Sequence, residues 1–165
     1  MAGAEDRVVA AAAVAGLEIA VRRFPEGTRT AEDAARAVGC EVAQIVKSLV
    51  FVADGQPVVA LVSGAHRLEP TRLAAALGAT RVERADGDLV RDATGFAIGG
   101  VPPLGHARQM PIVMDRALLA HDVLWAAAGR PDAVFAVTPA DLERASGAVV
   151  ADLGEEPAAG RGAAG

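Results

Sequence analysis

Aromatic side chains make up only 3% of this 165-residue chain, and tyrosine is missing altogether. Proteins that bind several bases of a single-stranded nucleic acid stack those bases on Phe, Tyr and Trp. The scarcity therefore argues against a protein that reads a run of RNA bases. It also predicts a core built mainly from Ala, Val and Leu, because 52% of the residues are hydrophobic.

Positive charge is also in short supply. The chain has 16 Lys and Arg against 21 Asp and Glu, for a net charge of -5. Broad binding to a phosphate backbone needs many cations, so we expect no DNA partner. Two interpretations remain for seven of the arginines: they form a local basic pocket around one end of a nucleic acid, or they belong to an ordinary solvated surface. These residues are Arg22, Arg23, Arg67, Arg72, Arg81, Arg84 and Arg108.

Cysteine and long apolar runs are nearly absent. Cys40 is the single cysteine and cannot form an internal disulfide, which favours a reducing cytoplasm and a buried, structural thiol. The run "VVAAAAVAGL" follows Glu5 and Asp6, where an export signal carries positive charge. No run approaches the length of a membrane span, so we expect neither export nor membrane insertion.

Several catalytic motifs are missing as well. The chain has no G-x-x-x-x-G-K-[ST] or G-x-G-x-x-G loop for nucleotides and no G-x-S-x-G turn for a nucleophilic serine. His66, His106 and His121 are scattered without metal-ligand spacing. We therefore expect no metal and no cofactor.

Periodicity and turn residues predict a sequence of short helices and strands. Helices are expected at 5–15, 30–39, 69–78 and from Thr138 onward, with short helical turns at 42–46 and 116–120. Strands are expected at 17–24, 48–53, 57–64, 80–85, 95–99, 111–115, 123–128 and 133–138. This order predicts one α+β domain with a large mixed sheet over residues 1–153.

Local signals support particular elements. Thr30 and Asp33 resemble a capping box, and Gly39 is a typical helix end. The "DG" pair at 54–55 separates two apolar runs, which is the strongest hairpin signal in the chain. From Gly154 onward, "GEEPAAGRGAAG" has no periodicity and predicts a disordered tail at 154–165.

The stretch "GGVPPLGH", residues 99–106, concentrates glycine and proline in one loop. Glycine permits close backbone approach, and proline fixes φ and removes a donor. Such a loop is either a structural corner or a wall against which a ligand lies.

Lys47 immediately precedes the most apolar run of the chain. Period-two alternation places it on the same side of a strand as Leu49 and Phe51. A lysine on an apolar face is costly unless its ammonium meets water, an acceptor or an anionic ligand. It is therefore either a residue at a strand entrance that reaches solvent or part of a pocket that holds a carbonyl or phosphate.

Five segments together resemble the YbaK/prolyl-tRNA-editing family, also called the aminoacyl-tRNA deacylase domain. They are "TAEDAARAVGCEVAQIVKSLVF", "PVVALVSGAHRL", "TGFAIGGVPPLGH", "PIVMD" and "VTPADLERA", within roughly residues 28–145. The specific part is the combination of Gln-x-x-Lys before a strand with a later Gly-x-x-x-Pro loop.

The resemblance implies a mixed, partly barrel-like sheet flanked by helices and an editing hydrolase for mischarged aminoacyl-tRNA. It implies Lys47, Gly99 and Gly100 as catalytic residues, with Lys47 holding the terminal phosphate or fixing the loop. Substrate contacts are expected from five further loop residues: Val101, Pro102, Pro103, Gly105 and His106. On position alone, Thr94 and Asp122 are weaker candidates for the same role. The implied partners are the acceptor end of aminoacyl-tRNA and prolyl-tRNA synthetase.

One departure leaves the specificity open. The cysteinyl-specific branch of the family continues its loop with Met and basic residues, whereas this chain continues with "HARQ". His106 and Arg108 are either contacts for the ribose-phosphate end or solvated loop residues. A non-catalytic binding module of the same fold is the alternative function, and an unrelated small hydrolase lacks a recognisable nucleophile or metal set.

Overall fold

The computed structural model describes residues 3–24 and 30–155. Within these residues the helices are α1 (Ala4–Val14), α2 (Ala31–Val38), α3 (Pro70–Leu77), α4 (Gly87–Thr94) and α5 (Pro139–Ser146). The strands are β1 (Val21–Arg23), β2 (Ile45–Ala53), β3 (Gln56–Ser63), β4 (Arg67–Leu68), β5 (Val82–Arg84), β6 (Ile112–Asp115), β7 (Leu124–Ala127), β8 (Ala133–Val137), β9 (Val149–Ala151) and β10 (Gly154–Glu155). Short 3-10 helices cover Val42–Gln44 and Arg116–Ala120.

Eight strands form one mixed sheet, which confirms the predicted α+β class. Their order is β1-β8-β7-β2-β3-β6-β9, and β5 also pairs with β2. The pairs β2/β7, β3/β6 and β6/β9 are parallel, and the other pairs in this sheet are antiparallel. In the described part of the chain β1 and β9 do not pair with each other, so the sheet is open and not a closed barrel.

The β2/β3 hairpin forms where the "DG" pair predicts it. Asp54 has φ +49° and Gly55 has φ +86°, the positive values that a tight hairpin turn requires. Lys47 is opposite Val62 and Leu49 is opposite Ala60 in the register. Residues directly opposite each other share a face, and Leu49, Ala60 and Val62 pack in one apolar cluster. The predicted face of Lys47 is therefore confirmed.

Apolar side chains cover both faces of the sheet. On one face Val59 and Leu61 of β3 pack with Val8 of α1 and Leu142 of α5. On the other face the alternate residues of β3 pack with Leu73 of α3 and Leu153. Because both faces are covered, residues 49–53 of β2 and 58–62 of β3 are continuous apolar runs without polar alternation.

The helix α2 has the ends that its sequence predicts. The Thr30 hydroxyl accepts a hydrogen bond from the Asp33 N–H at 3.0 Å, and Gly39 ends the helix in the left-handed region at φ +86°. This helix packs on the start of β2, where Ala34 and Ala35 contact Ile45. It therefore lies beside the segment that carries Lys47.

The prediction of a strand at 95–99 is wrong. The segment follows the helix α4, which the sequence analysis did not predict. The Asp86 carboxylate accepts from the Leu89 N–H to begin α4, and Gly95 ends it at φ +84°. Val90 and Ala93 are the apolar residues that this short, mostly polar helix buries. This helix is only eight residues long and mostly polar, so its sequence does not distinguish it from a polar loop. Residues 97–99 then form an exposed turn.

The predicted boundary of the tail is also corrected. Gly154 pairs with Leu68 and Glu155 with Arg67, forming a small antiparallel β4/β10 sheet, and the Arg72 guanidinium donates to the Gly154 carbonyl at 2.9 Å. The rest of the predicted tail, residues 156–165, lies outside the described residues.

The strand predicted at 17–24 is shorter in the structure, where only β1 forms.

Among the described residues, no helix combines the length and the hydropathy that crossing a membrane requires.

Candidate active site

One edge of β2 is left open in the middle of the sheet. The opposite edge of β2 pairs with β3 from Val46 to Ala53. On the open edge β7 pairs with Ile45 and Val46, and β5 pairs with 51–53. No strand of the described residues pairs with 47–50 on this edge. A cavity of about 350 Å³ lies at this gap, between the end of β5 and the end of β7.

The cavity wall is mainly apolar. Val50, Val90 and Val134 are typical of the residues that surround it. Apart from the indole of Trp125, the polar side chains that the described residues contribute belong to Thr30, Lys47, Ser48 and Arg84. Because the cavity opens at a strand edge, residues from both faces of β2 reach it. An apolar chamber with few polar groups is typical of a site for a small ligand.

Lys47 is the chain's single lysine and lines this cavity. Its Nζ donates a hydrogen bond to the carbonyl oxygen of His66 at 2.7 Å. Burial lowers the pKa of Lys47, and the positive charge of Arg84 acts in the same direction, whereas Glu32 and Asp115 raise it. The lysine is therefore held in place at the cavity and does not simply extend into solvent.

The start of the Gly/Pro loop forms another part of the wall. Gly99 and Val101 both line the cavity. Gly99 has φ +91°, a backbone conformation that favours glycine. The neighbouring Ile98 is 62% exposed and lies on the same wall. The structure thus brings Lys47 and this loop to one cavity, as a ligand-binding wall requires.

Gly100, the next residue of the loop, is a structural corner. Its N–H donates to the Ala97 carbonyl at 3.0 Å. A Cβ on Gly100 would lie 2.8 Å from the carbonyl oxygen of Gly129 and 2.9 Å from Cα of Arg130. Gly100 is absent from the cavity wall. Its location therefore supports tight loop packing and gives no support to the predicted catalytic role.

The rest of the loop lies away from the cavity. Pro102 and Pro103 are buried, and Gly105 is exposed. His106 Nε2 donates to the Pro102 carbonyl oxygen at 2.7 Å, which closes the loop on itself. Burial lowers the pKa of His106, and its hydrogen bond to Pro102 opposes that shift. None of these four residues lines the cavity, so the structure does not place them for direct substrate contact.

Thr94 and Asp122 are likewise outside the cavity. The Thr94 hydroxyl is fully buried, donates to the Val90 carbonyl at 2.6 Å and accepts from the Phe96 N–H at 3.0 Å. Its hydrogen bonds therefore join the end of α4 to the following turn. Asp122 is an exposed residue before β7. Neither placement supports the predicted substrate contact.

The cavity wall also contains Ser48 and Trp125, which were missed in the sequence, and Arg84, which was one of the seven arginines left open for a basic pocket. The Ser48 Oγ atom is buried and has no hydrogen-bond partner in the described residues. A hydroxyl inside the most apolar run of the chain is the signal that could have identified it. Arg84 and Trp125 carry no comparable local signal, because their positions depend on how β5 and β7 meet β2. The Arg22 guanidinium lies over the Trp125 ring at 5.4 Å.

The geometry defines a site for a small, mainly apolar group attached to an anionic or carbonyl-bearing group. The apolar walls accept the first, and the cations Lys47 and Arg84 attract the second. The described residues contain no cluster of three or more His, Cys, Asp or Glu side chains positioned to bind a metal ion.

Sequence comparison identifies the family of this chain. Residues 25–145 match the aminoacyl-tRNA editing domain. The match covers most of the chain, and this protein belongs to that family. The resemblance seen in the sequence is thereby confirmed.

Individual relatives are prolyl-tRNA synthetases and small proteins of the same fold. The chain is 40% identical over 92 residues to the proline–tRNA ligase of Citrifermentans bemidjiense, covering 56% of this chain and 16% of the ligase. It is 32% identical over 112 residues to that of Desulforamulus reducens, covering 64% of this chain and 20% of the ligase. The chain thus spans a minor part of these relatives.

A solved structure matches along nearly its whole length. It is provisionally described as a trans-editing enzyme for prolyl-tRNA synthetase. It superposes with a TM-score of 0.88 at 44% identity, over 94% of this chain and 99% of that one. The shared architecture confirms the predicted fold.

Proposed function

We propose that this chain is a trans-editing hydrolase that cleaves the ester bond of mischarged aminoacyl-tRNA. The observation that carries the proposal is the joint placement of Lys47, Gly99 and Val101 on one cavity, in a chain that belongs to the aminoacyl-tRNA editing family. In this reaction water adds to the ester carbonyl, and the products are the free amino acid and tRNA with a free terminal hydroxyl.

Among the described residues that line the cavity, no side chain is an activated nucleophile. Ser48 and Lys47 are consecutive strand residues, and their side chains point to opposite faces, so the lysine cannot serve as the base for this serine. An ester is already reactive, and orienting a water molecule or the neighbouring ribose hydroxyl is sufficient. Charged Lys47 then binds the terminal phosphate or stabilises negative charge on the carbonyl oxygen.

The substrate that we propose is proline-accepting tRNA carrying a small wrong amino acid such as Cys or Ala. Two observations support this choice: the cavity is small and lined by valine and alanine, and the curated relatives are proline–tRNA ligases. Apolar contacts alone discriminate amino acids that differ by one methylene by about 1–3 kcal/mol. We place the reaction at the acceptor end of the tRNA, in the cytoplasm, beside prolyl-tRNA synthetase.

The test is deacylation of tRNA charged with Ala, Cys, Ser, Thr or Pro. We expect the wild type to release Ala or Cys from proline-accepting tRNA and Lys47→Ala to lose this activity while staying folded. Arg36→Ala is the matched control, because it removes a cation whose side chain is 75% exposed. Binding without release from any species would overturn the proposal in favour of a non-catalytic module.

A further inference from the structure

Asp115 is a buried carboxylate outside the cavity, at the end of β6. It is 1% exposed. Its Oδ2 accepts from His66 Nδ1 at 2.9 Å and from the Ser63 N–H at 3.3 Å, and its Oδ1 accepts from the Ala117 N–H at 3.3 Å. A buried charge is tolerated only when donors surround it, and here two backbone amides and an imidazole do so.

His66 connects this carboxylate to the cavity. Its ring is bound to Asp115, while its carbonyl oxygen accepts from Lys47 Nζ at 2.7 Å. The strand β10 lies against the same residue. A Cβ on Gly154 would be 2.6 Å from the His66 Cβ and 2.9 Å from Nδ1. The imidazole is therefore held between the Asp115 carboxylate and the backbone of β10.

The turn from Gly64 to His66 is fixed at both of its ends. The Gly64 N–H donates to the Ile45 carbonyl at 2.7 Å, and the Asp115 contact holds the His66 ring. A lysine side chain has many rotamers, so an acceptor in a constant position is needed to keep its ammonium in one place.

We propose that Asp115 and His66 are positioning residues for Lys47: they fix the turn whose carbonyl oxygen holds the Lys47 ammonium at the cavity. Neither residue lines the cavity. The proposal rests on the proposed function for its catalytic consequence, but the placement of Lys47 can be measured without substrate.

The charges around Lys47 determine the direction in which its pKa should change. Charged groups act on the ammonium from three packed elements: Glu32 of α2, Arg84 of β5 and Asp115 of β6. The titratable His66 contacts Lys47 through its carbonyl oxygen and Asp115 through its ring. Asp115 raises the pKa of Lys47. Replacing Asp115 with asparagine removes this negative charge, so the pKa of Lys47 should fall.

The first experiment is an NMR titration of protein labelled with 13Cε-lysine. Because Lys47 is the single lysine, one resonance reports it. We expect Asp115→Asn to lower the pKa of Lys47 relative to the wild type. Asp152→Asn is the matched control, since this exposed carboxylate pairs with Arg116. Gly154→Ala keeps every charge and displaces His66, so a changed pKa of Lys47 in this variant reports a displaced ammonium. An equal pKa of Lys47 in the wild type and Gly154→Ala would overturn the proposal.

The second experiment measures kcat/KM for deacylation in Asp115→Asn and Gly154→Ala. The second variant keeps every charge and displaces His66 by steric contact. Each should lower kcat/KM by roughly tenfold to a hundredfold, as misplaced supporting groups do. In a Lys47→Ala background the same substitutions should cause no further loss, because they act through the lysine. Thermal unfolding and circular dichroism of each variant establish that it is folded.

The outcomes separate the two proposals. A wild type that releases no amino acid overturns the proposed function, while the NMR titration still tests the positioning. An active wild type whose folded Asp115→Asn and Gly154→Ala variants keep full kcat/KM overturns the positioning proposal and leaves the function in place.

Discussion

The Lys47 ammonium lies 2.7 Å from the carbonyl oxygen of His66, at the wall of a largely apolar cavity. Burial lowers the pKa of Lys47 from its ordinary value of 10.5. The charged form is therefore lost at a lower pH than in an exposed lysine.

This relationship predicts the alkaline limb of the reaction. If charged Lys47 binds phosphate or carbonyl oxygen, kcat/KM should fall as the pH rises through the lowered pKa, with a midpoint below 10.5. The measurement is the pH dependence of deacylation after subtraction of spontaneous ester hydrolysis. Lys47→Arg stays charged over this range, so any activity it retains should lack this limb. A wild-type rate that stays constant up to pH 10.5 would contradict the prediction.

The unpartnered hydroxyl of Ser48 predicts a stabilising substitution. A buried polar group without a partner costs about 1–3 kcal/mol, so Ser48→Ala should raise the free energy of unfolding by about 1 kcal/mol. The matched control is Ser63→Ala, because the Ser63 hydroxyl donates to the Ala43 carbonyl at 2.9 Å. That variant should lose about 1 kcal/mol. Urea denaturation measures both, and a similar loss in the two variants would refute the interpretation.

The packing of Gly100 predicts a destabilising substitution. The added methyl of Gly100→Ala would lie 2.8 Å from the Gly129 carbonyl oxygen, and such overpacking costs about 1–3 kcal/mol. Gly87→Ala is the control, because its added Cβ would meet the Ile98 Cδ1 at an ordinary 3.7 Å. We expect a lower midpoint of thermal unfolding in the first variant alone. Equal midpoints would show that the 129–130 backbone moves aside freely.

His106 predicts a loss of stability in acid. Burial lowers its pKa below the ordinary 6.5, so the unfolded chain binds this proton more readily than the folded protein does. The free energy of unfolding should therefore fall as the pH drops below 6.5 towards the lowered pKa. His106→Gln removes the titrating group and should reduce this slope in urea titrations at a series of pH values. An unchanged slope would assign the acid sensitivity to other groups.

Local signals predicted a large part of the fold because neighbouring residues alone produce them. The Thr30 cap, the Gly39 end and the "DG" turn depend on contacts within a few residues, and the structure shows each of them. The helix α4 was missed because it is short and mostly polar, a composition that is also typical of a loop. The pairing of Gly154 with Leu68 was missed because a two-residue strand has no period of its own.

The sequence by itself determined the class of the protein, the apolar hairpin with Lys47 on its predicted face, and the unusual backbone of the loop at 99–106. The tertiary structure decided which of these residues meet. Lys47, Gly99 and Val101 share a cavity because β5 and β7 stop short on the same edge of β2. The same packing turned Gly100, Thr94 and His106 towards the protein's own backbone. Pairing between distant segments leaves no local pattern, so only the folded chain shows which polar groups remain for a ligand.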